Sequence, residues 1–511
     1  ATPHYLATSA GLQVLEEGGA AMDAVITANA VLTVVYPDQT AIGGDCFFMV
    51  WDAATGETIG YNGSGPASRH ADPQLLLDQG WTAMPPKGPY AVTVPGTIDA
   101  WFAGHERFGR LEMGRLLAPA IALARDGFPV SPRLAGAIGR QTELIYQWPG
   151  LQALMMPSGE VPAAGSTIRF PQLATSFEFI LREGRDGFYS GEIGTAIATT
   201  IRELGGWLDA EDLAAHRGEW VEPIATTYRD VTVKTLPPNT QGLVTLLALR
   251  MAEREELGGT WGSLSHLHPL VEAARRGYQV RDEVITDPRF VDIDVDHWLA
   301  DVTIDDLWAD YDPASASGGA SHNAGDTVYL CAVDADGNAV SQIQSLFGAF
   351  GSAVVAGNTG ILLQNRGSSF SLNAERVNVL APGKRTMHTL MPSMLFTGDE
   401  LRGPIGTQGG DAQALIQLQL ITNLIDFGME PQAAIEAPRW LFPAAGENGL
   451  LMEEGFPAGT VQQMAGLGHQ PTVIDGWNPG AGHAQMILRD AVSGVLMGAA
   501  DPRADGSAAG Y

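Results

Sequence analysis

The sequence has few cysteines and few positive charges. Cys46 and Cys331 are the only cysteines among 511 residues, which excludes a disulfide framework and a cysteine-rich zinc site. Lysine and arginine together number 29 against 58 aspartates and glutamates, for a formal net charge of −29. Nucleic acids and anionic membranes are bound through basic surfaces, so this charge balance argues against both as partners.

Long apolar runs are also missing. No stretch of about 18 consecutive apolar residues occurs, so no membrane-spanning helix is predicted. The first residues lack the charged and apolar segments of a secretory signal, and we therefore expect a cytoplasmic protein, with secretion left open if a leader was removed. His266 and His268 are two residues apart, a spacing that does not put both rings on one helix face. We predict no metal and no other cofactor.

The residues that are present describe a large globular protein with many turns. Its 62 glycines and 31 prolines are spread along the chain, and the length allows two or three domains or one large one. Strand-like runs lie at both ends, and the region from about 90 to 285 is mostly helical by its apolar spacing. This order of elements predicts an α+β fold whose two ends share one sheet system. Individual predictions are helices over 4–18, 22–35, 116–126, 173–182, 193–204, 271–282 and 412–427, and strands over 46–51, 57–61, 339–344, 361–363 and 394–396.

A β-hairpin is predicted around Thr327. Apolar and β-branched residues lie on both sides of the turn Asp336-Gly337, a strong hairpin signal. Thr327 stands at the start of the first strand. If the Asp326–Thr327 bond were cut, the Thr327 hydroxyl would be a nucleophile and its own α-amine the general base. The alternative is a threonine that only begins a strand.

The residues before Thr327 favour cleavage. From Tyr311 to Asp326 the chain is rich in Ser, Gly, Ala, Asp and Asn, without periodicity, and we expect a loop. Self-cleavage needs an accessible loop, although a domain linker would have the same composition. Gly409-Gly410-Asp411 precedes an apolar helix, where free backbone N–H groups can face an oxyanion or merely begin the helix.

Taken together, these segments resemble the γ-glutamyltransferase (γ-glutamyltranspeptidase) family of self-processing N-terminal-nucleophile hydrolases. The resemblance runs nearly from end to end and depends on many motifs in the right order. They are Glu17-Gly18-Gly19-Ala20-Ala21-Met22-Asp23-Ala24, Ile42-Gly43-Gly44-Asp45, Val94-Pro95-Gly96-Thr97, Ala124-Arg125-Asp126-Gly127-Phe128, Leu236-Pro237-Pro238, the Thr327 hairpin, Gly360-Ile361-Leu362-Leu363-Gln364-Asn365, Gly409-Gly410 and Asp501-Pro502-Arg503.

The resemblance implies a four-layer αββα fold and self-cleavage before Thr327. The fragments 1–326 and 327–511 would stay associated as one intertwined domain, alone or as a homo-oligomer of the processed pair. Thr327 would form an acyl-enzyme with a small-molecule substrate. Ser345 occupies the place of a second hydroxyl residue oriented towards the nucleophile, and Gly409 and Gly410 match the family's oxyanion-hole pair.

The chain departs from the family where γ-glutamyl groups are bound. Asn62 falls at or near the position where other members have the arginine that holds the α-carboxylate. Ser369 stands where they have the acidic residue that holds the α-amine. Arg366 adds a positive charge that would repel an ammonium group, and the usual paired serines are here His388 and Thr389. Lost or repelled anchors cost a few kcal/mol, so glutamate is not the expected substrate.

The substituted segments resemble the subgroup that contains oxamate amidohydrolase. They are Gln364-Asn365-Arg366-Gly367, Phe370-Ser371-Leu372, Ala381-Pro382-Gly383-Lys384-Arg385, His388-Thr389-Leu390, Gly409-Gly410-Asp411 and Gly482-His483-Ala484. Arg366 could hold a substrate carboxylate as a bidentate pair, or form a structural ion pair. Arg385 is expected to fix a loop. His388 and His483 could border the substrate or be neutral structural histidines.

We therefore predict a Thr-nucleophile amidohydrolase that acts on a small, carboxylate-bearing, oxamate-like amide. One alternative keeps the fold and nucleophile but cleaves a carbon–carbon bond in secondary metabolism. Another is a genuine γ-glutamyl hydrolase or transferase. A third, from a different class, is an uncleaved homologue that serves as a binding or structural protein.

Overall fold

A computed structural model describes residues 1–318, 325–443 and 449–511. Its strands, in chain order, are β1 (Asp45–Asp52), β2 (Glu57–Asn62), β3 (Phe128–Pro129), β4 (Thr167–Ile168), β5 (Glu219–Val221), β6 (Ile224–Tyr228), β7 (Val231–Thr235), β8 (Asp326–Val333), β9 (Ala339–Phe347), β10 (Ser393–Thr397), β11 (Glu400–Thr407), β12 (Trp440–Leu441), β13 (Leu450–Glu453), β14 (Pro471–Ile474), β15 (Ala484–Arg489) and β16 (Leu496–Ala500).

The helices belong to both halves of the chain. In chain order they are α1 (Tyr5–Glu16), α2 (Ala21–Val35), α3 (Pro73–Asp78), α4 (Thr97–Phe108), α5 (Met113–Asp126), α6 (Pro132–Arg140), α7 (Thr142–Gln147), α8 (Pro149–Met155), α9 (Pro171–Tyr189), α10 (Glu192–Glu203), α11 (Ala210–Ala215), α12 (Gly242–Ala252), α13 (Leu264–Val284), α14 (Val295–Leu299), α15 (Asp301–Trp308), α16 (Gln413–Ile425), α17 (Pro431–Glu436) and α18 (Thr460–Gly466).

Two antiparallel sheets form the centre of the molecule. The first has the order β5-β2-β1-β9-β8 and the second the order β16-β15-β11-β10-β7-β6. Strands from before and after Thr327 lie in both sheets, and β1 pairs with β9 through seven residue pairs, from Asp45 opposite Ser345 to Trp51 opposite Ala339. Two smaller sheets, β12-β13-β14 and β3-β4, lie outside this centre.

The protein has four layers, two of helices and two of sheet, and clusters of buried side chains lie between them. Side chains of both large sheets meet between them, among them Phe47, Tyr329, Met394 and Phe396. A second apolar cluster packs α1, α2, α4, α5 and α9 with the first sheet. A third packs α12, α13 and α16 with the second sheet. The αββα sandwich and the α+β class predicted above are confirmed.

Most predicted elements form where the apolar pattern is strong. Every residue of α2 is buried, as its continuous apolar and alanine-rich sequence indicates. The hairpin turn forms at Gly337, whose φ of 84° suits glycine. Residues 361–363, predicted as a strand, make only isolated bridges, Val355 with Leu362 and Gly43 with Leu363. Of the predicted loop from 311 to 326, residues 319–324 lie outside the described residues.

Candidate active site

Thr327 lies at the start of β8, on the edge of the first sheet. It is opposite Ser345 of β9, and a bulge between Asp326 and Thr327 shifts the register, so that Asp326 is opposite Phe347. Bulges redirect side chains and are frequent beside active sites. The Thr327 side chain is 1% exposed, and its Oγ1 lies 2.9 Å from Oγ of Ser345. The two hydroxyls therefore share a hydrogen bond.

Ser345 is the central residue of a row that crosses three strands. Thr327 lies opposite it on β8 and Asp45 opposite it on β1. Its Oγ accepts a hydrogen bond of 2.7 Å from the Phe347 backbone N–H. This bond fixes the Ser345 side chain, so that its hydroxyl is held towards Thr327. The arrangement suits a residue that orients a nucleophilic hydroxyl.

Gly409 and Gly410 follow β11 and lead through a 3-10 turn, Gly410–Ala412, into α16. Their φ angles are 151° and 56°, values that residues other than glycine rarely adopt. Gly325 packs on Gly410, because a Cβ on Gly325 would lie 2.8 Å from Cα of Gly410. Gln408 Nε2 donates to the Gly325 carbonyl at 3.1 Å. In the uncut chain Gly325 therefore lies against Gly410.

Arg366 lies in a buried 3-10 turn, Arg366–Ser369. Its guanidinium lies over the Phe347 ring, 4.0 Å from the ring centroid, and Nη1 donates to Thr389 Oγ1 at 3.3 Å. Nε and Nη2 are buried and have no hydrogen-bond partner among the described residues. These two atoms form one edge of the guanidinium, the edge that pairs with both oxygens of a carboxylate.

The charge of Arg366 is held in a nearly dry environment. Burial lowers its pKa to about 10, and the nearby negative charges of Asp45 and Asp411 oppose that shift. The group therefore stays cationic at neutral pH. A buried cation with donors that lack a partner among the described residues is costly unless an anion compensates it, and this guanidinium edge has the geometry to pair with a carboxylate.

Asp45 and His388 form a buried pair beside this arginine. His388 Nε2 lies 3.0 Å from Asp45 Oδ2, and its Nδ1 accepts from the Leu390 N–H at 3.3 Å, which places the ring proton on Nε2. Burial, assisted by Arg366, lowers the pKa of His388 well below its usual value. Burial raises the pKa of Asp45 to about 7, against the effect of Arg366. The His388 ring is therefore neutral, while Asp45 changes its charge near neutral pH.

Two of the other predicted substrate-binding residues lie with this group. Thr389 is fully buried and contacts Arg366 through its hydroxyl. Ser369 Oγ is buried without a hydrogen-bond partner in the described part of the chain. The Asn62 side chain, in contrast, is hydrogen-bonded to neighbouring residues. Its Nδ2 donates to Asn239 at 2.8 Å, and its Oδ1 accepts from the hydroxyl of Ser64 at 2.6 Å.

His483 and Arg385 occupy different places. The His483 side chain lines a separate cleft together with Gly325 and Gly409, and burial lowers its pKa to about 3. Arg385 forms an ion pair with Glu219, and its backbone N–H donates to Asp287 at 2.7 Å. It therefore fixes a loop, as expected, and is occupied by this contact.

His268, Glu272 and His469 are close enough in space to hold a metal ion. Each already has protein partners, however. His268 Nδ1 lies 2.7 Å from His469 Nε2, while Glu272 pairs with Arg275 at 2.6 Å and Arg276 at 2.9 Å. Two guanidinium groups beside the carboxylate oppose a bound cation, and we read the cluster as structural.

Sequence reasoning underrated Asp45, Phe347 and Gln408. Asp45 belongs to the motif Ile42-Gly43-Gly44-Asp45, which does not indicate that its side chain meets His388, 343 residues away. Phe347 is the last residue of β9, its φ of 77° is unusual for a residue other than glycine, and its ring lies against the Arg366 guanidinium. No local pattern indicates either contact. For Gln408, its position directly before Gly409-Gly410 was the available signal.

No helix in the described ranges combines the length and apolar character needed to cross a bilayer.

A family model described as Gamma-glutamyltranspeptidase matches residues 7–511. Curated relatives include a glutathione hydrolase-like YwrD proenzyme of Bacillus subtilis, 40% identical, and an oxamate amidohydrolase proenzyme of Klebsiella pneumoniae, 37% identical. Each match covers 100% of this chain and 97% of the relative.

A solved structure is similar over the same length. The cephalosporin acylase from Bacillus halodurans matches with a TM-score of 0.93 and 36% sequence identity, over 100% of this chain and 95% of that one. The two proteins thus share the arrangement of both large sheets and their helical layers.

Proposed function

Because this chain belongs to the gamma-glutamyltranspeptidase family and is thereby an N-terminal-nucleophile hydrolase, we propose that it cuts itself before Thr327 and then hydrolyses a small carboxylate-bearing amide. The fragments are 1–326 and 327–511. The observation that carries the substrate class is the Nε and Nη2 edge of buried Arg366, which has no hydrogen-bond partner in the part of the chain that the structure describes. A site built around that edge selects an anion and repels an ammonium group.

Self-cleavage begins at the Thr327 hydroxyl. Oγ1 attacks the preceding carbonyl carbon, and the C–N bond breaks as the ester forms, which frees the Thr327 α-amine. Water then hydrolyses the ester, which releases the carboxylate of the first fragment and restores the Thr327 hydroxyl. Ser345 supports the orientation of Oγ1 through the hydrogen bond of 2.9 Å. Because Gly325 packs on Gly410, release of the end of the first fragment also uncovers the glycine pair for substrate.

Turnover uses the same hydroxyl with the new amine as base. An α-amine ordinarily has a pKa of about 7.7–8.0, so it can accept the Thr327 proton near neutral pH. The substrate carboxylate binds Arg366, and its amide carbonyl faces the backbone N–H groups of Gly409 and Gly410. Each such donor contributes roughly 2.7–4 kcal/mol to transition-state binding in comparable enzymes. Water then resolves the acyl-enzyme.

The experiment is a denaturing gel with mass spectrometry, followed by a substrate panel. Wild-type protein should give the two fragments, and Thr327→Ala a single full-length chain without activity. Thr327→Ser keeps a hydroxyl and an amine, so it should still be cleaved and serves as the matched control. Persistent activity in Thr327→Ala would overturn the proposed nucleophile.

The panel compares oxamate with γ-glutamyl anilides. A relative named glutathione hydrolase-like makes γ-glutamyl release the second candidate. We expect oxamate to be hydrolysed and the γ-glutamyl anilides to react at least about 100-fold more slowly, since a repelled ammonium costs a few kcal/mol. The reverse order would refute the carboxylate-amide assignment.

A further inference from the structure

Gln241 lies directly before α12 and contacts the segment that carries the carboxylate pocket. Its backbone N–H donates to the His388 carbonyl at 2.8 Å, and its side-chain Nε2 donates to the Thr389 carbonyl at 3.2 Å. Thr389 in turn accepts from Arg366 through its hydroxyl. Gln241 therefore holds the backbone from which one side of the proposed substrate site is built.

The same amide nitrogen reaches the turn that follows Gly409. Gln241 Nε2 lies 3.3 Å from the Gly410 carbonyl and 3.2 Å from the Asp411 carbonyl. The hydroxyl of Tyr278 on α13 also donates to the Asp411 carbonyl. One side chain thus joins the carboxylate pocket to the glycine pair.

The glycine pair needs such restraints, because glycine has more backbone freedom to lose than any other residue. A peptide unit is planar, so the direction of its N–H follows from that of its carbonyl. The Gly409 carbonyl accepts from the Ala412 N–H at 3.0 Å, which orients the Gly410 N–H in the same unit. Gln241 holds the carbonyls of the next two units, so that the turn is fixed over three successive carbonyls.

The orientation of the Gln241 amide is itself determined by its partners. Its Oε1 accepts from Nη1 of Arg281 at 3.4 Å, and a guanidinium only donates, whereas the carbonyls on the other side only accept. Arg281 Nη1 also lies 3.4 Å from Asp411 Oδ2. Gln241, Arg281 and Asp411 therefore form a closed ring, and the Gln241 side chain is fully buried within it.

We propose that Gln241 is a positioning residue that fixes the separation between the carboxylate pocket and the glycine pair, and that it thereby restricts the acyl part of the substrate to one length. This inference rests on the proposed function, in which the substrate carboxylate and amide carbonyl bind at the two ends of that separation. An extra methylene group between them shifts the carbonyl by on the order of 1 Å, and a misplacement of that size can cost about 100-fold in rate.

The test compares kcat/KM of the matured wild-type enzyme for oxamate, malonamate and succinamate. The three differ only in the number of methylene groups between carboxylate and amide. We expect oxamate to be hydrolysed at least about 100-fold faster than either longer amide.

Gln241→Met keeps the approximate length of the side chain and removes the amide, so the preference for oxamate should fall at least about tenfold. In the same variant, kcat for oxamate should fall about 100-fold while KM stays within about threefold, because Arg366 is unchanged. A purely structural defect would lower the amount of active enzyme and reduce all three rates equally, so the preference separates positioning from stability.

Gln417→Met is the matched control. Gln417 is also fully buried, and its Nε2 donates to the Met391 carbonyl at 2.8 Å. The same substitution there should lower the denaturation midpoint and leave the preference for oxamate unchanged. Tyr278→Phe is a second variant, which keeps the ring in the core and removes one donor from the Asp411 carbonyl. It should lower the preference about threefold.

Similar hydrolysis of the three amides by the wild type would overturn the inference alone. An unchanged preference in Gln241→Met, or in Tyr278→Phe should Gln241→Met fail to cleave itself, would do the same. Hydrolysis of none of the three amides by correctly cleaved wild-type enzyme would overturn the proposed function and the inference together.

Discussion

At the scale of single residues, the proposed choice of acyl group depends on Arg366. It is a buried cation between Phe347 and Thr389, with one guanidinium edge unpaired among the described residues. Arg385 is equally buried, yet its charge is met by Glu219. Two arginines in similar environments thus differ in whether a partner is already present, and this difference separates a binding residue from a structural one.

Replacing Arg366 should therefore affect binding more than folding. Arg366→Met keeps the length of the side chain and removes its charge, so KM for oxamate-type substrates should rise on the order of 100-fold, as expected for a lost charge-assisted pair. Self-cleavage should continue. In the control Arg385→Met, KM should stay within about twofold while the denaturation midpoint falls. Steady-state kinetics and urea unfolding measure the two effects, and an unchanged KM in Arg366→Met would count against the carboxylate pocket.

We predict that Asp45 makes substrate binding depend on pH. Because its pKa is raised to about 7, the carboxyl is neutral below pH 7 and negative above it. The negative form lies near Arg366 and repels the substrate carboxylate, so KM should rise with pH through 7, by roughly fivefold for a charge at this range. His388, with its lowered pKa, adds no charge in this window.

The measurement is KM as a function of pH between 5.5 and 8.5. The pH dependence of kcat is fitted separately, because the Thr327 amine is expected to govern kcat. Asp45→Asn should give a KM that no longer changes with pH. A wild-type KM that is flat across neutral pH would contradict the role of Asp45.

At the scale of elements, α13 holds Ser317, which lies in the segment that precedes Thr327. Glu272 on this helix accepts from the Ser317 backbone N–H at 3.2 Å and from the Ser317 hydroxyl. Arg275 donates to the Ser317 carbonyl at 2.9 Å. Burial alone would raise the pKa of Glu272, but Ser317, Arg276 and Arg275 hold it below its usual value. The carboxylate is therefore ionised at neutral pH and forms ion pairs with two buried cations.

Removal of that charge should destabilise the protein. Glu272→Gln leaves Arg275 and Arg276 without their counter-ion, and loss of one partner from a buried pair typically costs about 3–5 kcal/mol. Glu283→Gln on the same helix, at an exposed position, should change the free energy of unfolding by less than about 0.5 kcal/mol. Urea denaturation of both variants in the Thr327→Ala background, where every molecule is uncut, gives the comparison. Equal stabilities would disprove the role of Glu272.

At the scale of the whole molecule, sequence predicts the layers better than the contacts across them. The layers depend on local signals, such as the apolar run of β1 and the Asp336-Gly337 turn, and these form as expected. Residues 361–363 fail as a strand because they bridge single residues of two different segments, and Gly360 turns the chain just before them with a φ of 70°.

The candidate site shows the same division. Thr327, Ser345 and the glycine pair carry recognisable motifs, and the structure brings Thr327 and Ser345 together. The Asp45–His388 pair arises only when distant segments pack, so no spacing along the chain indicates it. Asn62 stays a predicted substrate-binding residue, and its position in a family motif does not reveal that its side chain is hydrogen-bonded to Ser64 and Asn239.

The shared sheet has a consequence for the lifetime of a matured enzyme. The seven residue pairs between β1 and β9 would join two separate polypeptides once the chain is cut. An uncut chain that unfolds recovers in a first-order reaction at any dilution. Two fragments that unfold must first meet, so their recovery becomes second order and slows with dilution. A cut enzyme that unfolds at low concentration would therefore refold slowly, so its lifetime would depend on how rarely it unfolds.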